Sequence, residues 1–135
     1  MPSIQAISTD DAPSAIGIYS QAIRASETVY LAGQLPLDPI TMQLETGIDA
    51  QIHRVFRNLE AVSRAAGASL AQAIKVTVYL TDPAHFSRVN ALMGEYFCKP
   101  YPARTSVAVA ALPRGALIEA DAVLSLAPSP ANKEI

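Results

Sequence analysis

Residues 105–112 contain no charged side chain, and a second run, 117–127, is apolar along one entire face and mixed along the other. Strands that are apolar on both sides need cover on both sides. The rest of the chain offers two helical patterns, and two helices cover only one face of a sheet. The other face must therefore meet other protein. This requirement constrains the chain more than any other feature, because it makes the sheet and its partner a single folding problem.

Composition points the same way. In a chain of 135 residues, half are apolar and only 16% are charged, below the usual quarter for globular domains. That length corresponds to one domain, residues 1–127, followed by a Pro- and Ser-containing stretch, 128–135, read as a flexible C-terminal tail. No apolar run is long enough to span a bilayer, so the apolar surplus is assigned to subunit contact and no membrane partner is expected. Net charge is −2 without a basic stripe, which argues against a nucleic-acid partner. The single cysteine, Cys98, forms no internal disulfide, and the N-terminus has no charged and apolar leader pattern. The expectation is a cytoplasmic protein. His53 and His85 lie on separate helices without metal-ligand spacing, so no metal is expected.

Taken in order, residues 3–8 read as a short edge strand, and 16–23 as a strand with Tyr19 and Gln21 on one side. Residues 28–32 form a third strand, ended by Gly33. Between 46 or 49 and 66 the period becomes helical, with Ile52, Val55, Phe56, Leu59 and Val62 as the stripe and Gly67 as the stop. Residues 75–80 alternate as a half-buried strand. Asp82-Pro83 caps a second helix running to about Phe97. The order ββ(β)αβαββ is an α+β fold with two helices on one face.

The chemistry concentrates around Arg104, at the mouth of the uncharged strand, and Glu119, near the start of the last one. The Pro113-Arg-Gly115 turn is expected to reverse one strand onto the other, with Arg114 an inert turn residue. A guanidinium with a carboxylate nearby can hold a small acid and activate water beside it. Equally, these residue types fit a solvated arginine and an unrelated surface glutamate. Antiparallel pairing alone does not bring Arg104 to Glu119, so any meeting must come from twist, from the sheet ends or from a neighbouring subunit.

Pro102-Ala-Arg-Thr-Ser-Val followed by Leu117-Ile-Glu resembles the signature of the reactive-intermediate deaminase family, the YjgF-type or RidA-like proteins. Ala15-Ile-Gly-Ile-Tyr-Ser-Gln, Leu31-Ala-Gly-Gln-Leu-Pro, Val76-Thr-Val-Tyr-Leu and Val89-Asn fall in the same order as in that family. The resemblance covers roughly residues 4–127. It implies a chorismate-mutase-like mixed sheet, assembled as a barrel-cored homotrimer with active sites between subunits. It also implies hydrolysis of 2-imino or 2-enamino acids to 2-oxo acids and ammonia, without a cofactor. Arg104 then grips the substrate carboxylate, Glu119 activates water, Tyr19 lines the cleft and Asn90 sits on its rim. Gly33 supports the carboxylate through its backbone N–H. The chain departs from the family pattern at Ser106, where cysteine is usual, and at Ala32, where serine often precedes the glycine. Ser106 would act through its backbone carbonyl, and Ala32 withdraws a hydroxyl from the substrate site. The alternatives are a pathway-specific relative of the aminomuconate-deaminase type and a non-catalytic trimer that binds small carboxylates. The ribonuclease activity ascribed to some relatives fits the acidic balance least.

Overall fold

The computed structural model describes residues 4–128; residues 129–135 of the expected tail lie outside that span. Six strands form one sheet in the order β1-β2-β3-β6-β4-β5. They are β1 (Ile4–Ile7), β2 (Ala22–Ala25), β3 (Thr28–Gln34), β4 (Ala73–Leu80), β5 (Ala103–Ala108) and β6 (Ile118–Ser125). Two helices, α1 (Ile48–Ala65) and α2 (Phe86–Met93), complete the expected α+β order.

The last strand in sequence is central in the sheet. Its inward set, Ile118, Ala120, Ala122 and Leu124, is buried, while Glu119, Asp121 and Val123 on the opposite face are half-buried. Val76, Val78 and Leu80 of β4 and Val29 and Leu31 of β3 extend the inward face, on which Ile52, Val55, Phe56, Leu59 and Val62 of α1 pack. Small alanines at 120 and 122 let the broad apolar stripe of α1 approach the sheet closely. Val89, Met93 and Phe97 close the end of this core, with Phe56 and Phe97 edge-to-face at 5.6 Å between ring centres.

Four expectations are corrected. Residues 16–20 are irregular, and only Ala22–Ala25 pair as a strand. The Tyr19 N–H turns back to the Gly17 carbonyl at 3.1 Å, which leaves no ladder there. The second helix is shorter than expected. Asp82 does accept from the Ala84 N–H at 2.9 Å, but it caps a 3₁₀ turn, Pro83–His85, and the helix proper ends at Met93 before Gly94. The uncharged run 105–112 is strand only as far as Ala108, within β5, which begins at Ala103 and takes in Arg104. Finally, β5 and β6 are not partners. The crossover through α2 makes β5 parallel to β4, and β4 lies between it and β6.

The connection after β3 folds back as a loop with a lone bridge between Leu37 and Leu44. Asn58, fully buried on α1, holds it by donating its amide to the Leu35 and Leu37 carbonyls at 3.1 and 3.0 Å. Its Oδ1 has no partner among the described residues. Asn58→Ala strands both carbonyls, and chemical denaturation should show a loss of about 1–3 kcal/mol.

Candidate active site

Two clusters gather the residues singled out by sequence, and they lie on opposite faces of the sheet. Arg104 is in register with Val76 of β4, whose side chain faces the helices. Glu119 is in register with Tyr79, on the face away from them. Residues paired across adjacent strands share a face, so the two groups diverge. One intervening strand and three residues of register also separate them, roughly 14 Å between Cα atoms.

The first cluster sits where β5 meets α2. The Arg104 Nη1 donates to Asn90 Oδ1 at 2.6 Å and approaches Met93 Sδ at 3.6 Å. No carboxylate among the described residues pairs with this guanidinium. Asn90, Met93, Phe97, Tyr101, Pro102 and Arg104 line an open cleft of about 460 Å³. Ser106 adjoins it through a second hollow shared with Phe86, Ser87, Asn90 and Arg104. Its Oγ is buried without a partner among the described residues. A fixed fork of N–H donors, one of them already oriented by an amide, suits a planar carboxylate.

The second cluster is built around an irregularity in β3. The β3–β6 ladder slips between Leu31 and Gln34, so Ala32 and Gly33 together stand opposite the single residue Asp121. Gly33 is therefore not the end of its strand but part of a bulge within it. A Cβ at Gly33 would collide with the Glu119 carboxylate oxygen and would stand 3.0 Å from its Cδ and 3.3 Å from its Cγ. The absence of a side chain at 33 is what admits the carboxyl group. Burial and the nearby Asp121 carboxylate push the Glu119 carboxyl above its usual range.

Tyr19 lies on the same side as Gly33, around a shallow depression that also includes Pro13, Ile16 and Leu37. Its exposed phenol oxygen accepts a bond from the Ile16 N–H at 3.2 Å. Gln21, which carries no functional signal in the sequence, fixes this loop. Nearly fully buried, it accepts from the Thr9 N–H at 2.7 Å and donates to the Thr9 and Pro13 carbonyls at 3.1 and 2.8 Å. Its backbone carbonyl takes the Ala32 N–H at 2.9 Å, tying the Tyr19 loop to the bulge. Ala32 thus contributes through its backbone.

Gln51 and Arg114 hold the remaining wall. Gln51 donates to the Glu45 carbonyl at 2.9 Å and accepts from the Leu117 N–H at 2.8 Å. Arg114 is not an inert turn residue: it adopts φ 63° and donates to the Met42 carbonyl at 2.8 Å. It therefore clasps the 113–115 turn to the loop after β3. A buried amide at an α-helical position (Gln51, Asn58) is the sequence signal that could have revealed these anchors, since such groups require partners. Among the described residues, no group of three or more His, Cys, Asp or Glu side chains is placed to hold a metal ion.

Residues 9–125 match the family model described as endoribonuclease L-PSP. The chain is 44% identical over 124 residues to the RutC family protein y4sK of Sinorhizobium fredii, covering 91% of this chain and 98% of that one. It belongs to the RidA-like family. The human 2-iminobutanoate/2-iminopropanoate deaminase is 41% identical over 118 residues, 87% of this chain and 86% of the human protein. Among solved structures, RidA from the Antarctic bacterium Psychrobacter superposes with a TM-score of 0.88 at 46% identity, over 90% of this chain and 98% of that one. RidA-like folding and the mixed sheet with two helices are thus common to this chain and its relatives.

Gly33→Ala should drive the Glu119 carboxyl out of the bulge and lower the unfolding free energy by about 1–3 kcal/mol. In a Glu119→Ala background the same substitution should cost much less, and a double-mutant cycle by denaturant titration reads the difference.

Proposed function

We propose that this RidA-like protein hydrolyses reactive 2-imino and 2-enamino acids at sites assembled from two copies of the chain. One copy supplies Arg104, Asn90 and Ser106; its neighbour supplies Glu119, Tyr19 and Gly33. The observation that carries this reading is the placement of Arg104 and Glu119 on opposite faces of one sheet, where they cannot serve the same small molecule within a copy. Each copy then presents two different half-sites, and a head-to-tail contact that closes joins every half-site to its complement. The named deaminase activity of relatives about 40% identical supports the reaction class.

The chemistry asks for few groups. Arg104 holds the substrate carboxylate through two parallel charge-assisted bonds, worth roughly 1.5–3 kcal/mol each. This places the electrophilic C=N carbon over Glu119 of the other copy. Glu119 accepts a proton from water as it adds to that carbon and passes it to nitrogen, giving a tetrahedral amino alcohol; it then takes the hydroxyl proton and delivers it to the departing amine as the C–N bond breaks and the C=O bond forms. The products are the 2-oxo acid and ammonia. Tyr19 at the cleft wall orients the substrate, and the Gly33 backbone supports its carboxylate end. Ser106 places its backbone carbonyl toward the water. The endoribonuclease of the family description is the weaker reading for this chain, because net charge is −2 and the outer sheet face carries Glu119 and Asp121, whereas gripping RNA phosphates draws on clustered Lys and Arg.

The uncovered sheet face and the β5 edge, with Val107 exposed, support a homotrimer of the kind the family resemblance implies. Sedimentation at micromolar concentration should give the mass of three chains; a monomer would remove the shared site. Arg104→Lys keeps the charge but loses the fork, so kcat/KM for 2-imino acids should fall about 100-fold, and Arg104→Ala should lose more. Glu119→Gln should abolish hydrolysis while still binding a 2-oxo acid. Mixing denatured Arg104→Ala and Glu119→Gln chains one to one and refolding them should restore about a quarter of wild-type activity, since that share of random interfaces has both groups intact. No restoration would place both residues in one copy's site and overturn the assembly described here.

A further inference from the structure

Outside the groups already given a role, the outer sheet face holds a second acid beside Glu119. Asp121 is two residues along β6, with its side chain on the same face, about 7 Å away along the strand. Tyr79 stands opposite Glu119 in the β4–β6 ladder, yet its hydroxyl reaches diagonally and donates to Asp121 Oδ2 at 3.0 Å. Glu119 itself receives no hydrogen bond from a described residue. The phenol opposite the base across the ladder is thus turned towards the neighbouring carboxylate.

Other groups facing Glu119 are few. Lys75 lies further along the same face of β4, opposite Val123, and Tyr30 of β3 stands opposite Val123 from the other side. Tyr19 shares the depression beside Gly33, and Arg104 of a second copy arrives with the substrate under the reading above. Asp121 is the nearest of the charged groups on the same strand. A donor to Glu119 would stabilise its charged form; a fixed negative charge beside it, with no donor, does the reverse.

We propose that Tyr79 and Asp121 are positioning residues for Glu119: the phenol holds a second carboxylate against the same sheet face, and that charge makes Glu119 a stronger proton acceptor than it would be alone. The proposal rests on Glu119 being the base, and it assigns to the site a tuning pair that does not touch substrate. Burial together with the Asp121 bond and charge holds the Tyr79 phenol above its ordinary range, so it remains a donor throughout the working pH range. A stronger base removes the proton of water more effectively wherever it is ionised, while its acid limb lies at higher pH.

The test uses the full-length protein and two readouts. Carbon-detected NMR follows the Glu119 carboxyl through a pH titration without substrate. The second readout is the pH profile of kcat/KM on 2-imino acids generated in place by an amino-acid oxidase. In Asp121→Asn the Glu119 titration and the acid limb should both move to lower pH. The ratio of kcat/KM at pH 5 to that at pH 8 should rise about threefold, while the plateau falls. Asp121→Glu, which keeps the charge, should restore both. Tyr79→Phe unties the carboxylate and should give the same change at smaller amplitude. An unmoved Glu119 titration in Asp121→Asn, or an Asp121→Glu protein behaving like Asp121→Asn, overturns the proposal. A Tyr79→Phe protein identical to wild type in the titration removes the phenol's part. If the wild type turns over no imine but its Glu119 titration still moves on Asp121→Asn, the deaminase reading fails and the charge coupling stands.

Discussion

With β3 on one edge of β6 and β4 on the other, both rows of its backbone hydrogen-bonding groups are occupied. The only variable left to each residue is the face it occupies. Ile118, Ala120, Ala122 and Leu124 take the face beneath α1, and that burial leaves Glu119 and Asp121 no alternative but the other. A slip of one residue would send both acids into the apolar core and four apolar groups to the outside. Hydrophobic burial therefore fixes where the acids stand, although it acts on none of their atoms. The parallel pairing of β5 with β4 then fixes Arg104 on the helix side by the same alternation.

Around this frame, the irregular segments are held by side-chain amides. Gln21 serves the Tyr19 loop, Asn58 the start of the loop after β3, and Gln51 the end of that loop together with the approach to β6. Loop backbone that cannot join a ladder still has to satisfy its carbonyls and N–H groups, and each amide supplies donor and acceptor together. Because Asn58 and Gln51 are buried on α1, the geometry of the loop after β3 is coupled to α1 packing.

Much of this was legible from residue patterns. The change from alternation to helical period located α1 and β4, and the alternation of 117–127 separated the two faces of β6 correctly. Arg104 with Asn90, and Glu119 with Gly33, do fall into clusters. What the sequence did not disclose is strand neighbourhood. The Pro113-Arg-Gly115 turn looks like a hairpin connection, but a crossover through α2 had already placed β5 beside β4. The choice between the two pairings depends on contacts distant along the chain. Nor was the bulge visible: Leu31-Ala-Gly-Gln reads as a strand end, because a glycine ending a strand and a glycine within a bulge leave the same mark. Tyr79 read as an ordinary member of a half-buried strand, since its bond to Asp121 depends on the β4–β6 register.

The contact between Gly33 and Glu119 has a consequence for how such a chain can change. Any side chain at position 33 needs the volume that the acid now fills, so drift at one position is tolerated only after the other has shortened or turned away. The two positions are far apart in sequence, yet each limits which substitutions the other can accept. A lineage that lost the glycine first would pass through a form with a displaced acid, and one that lost the acid first would be free to vary at 33. Order of substitution, rather than the residues alone, would then decide whether a descendant keeps its chemistry.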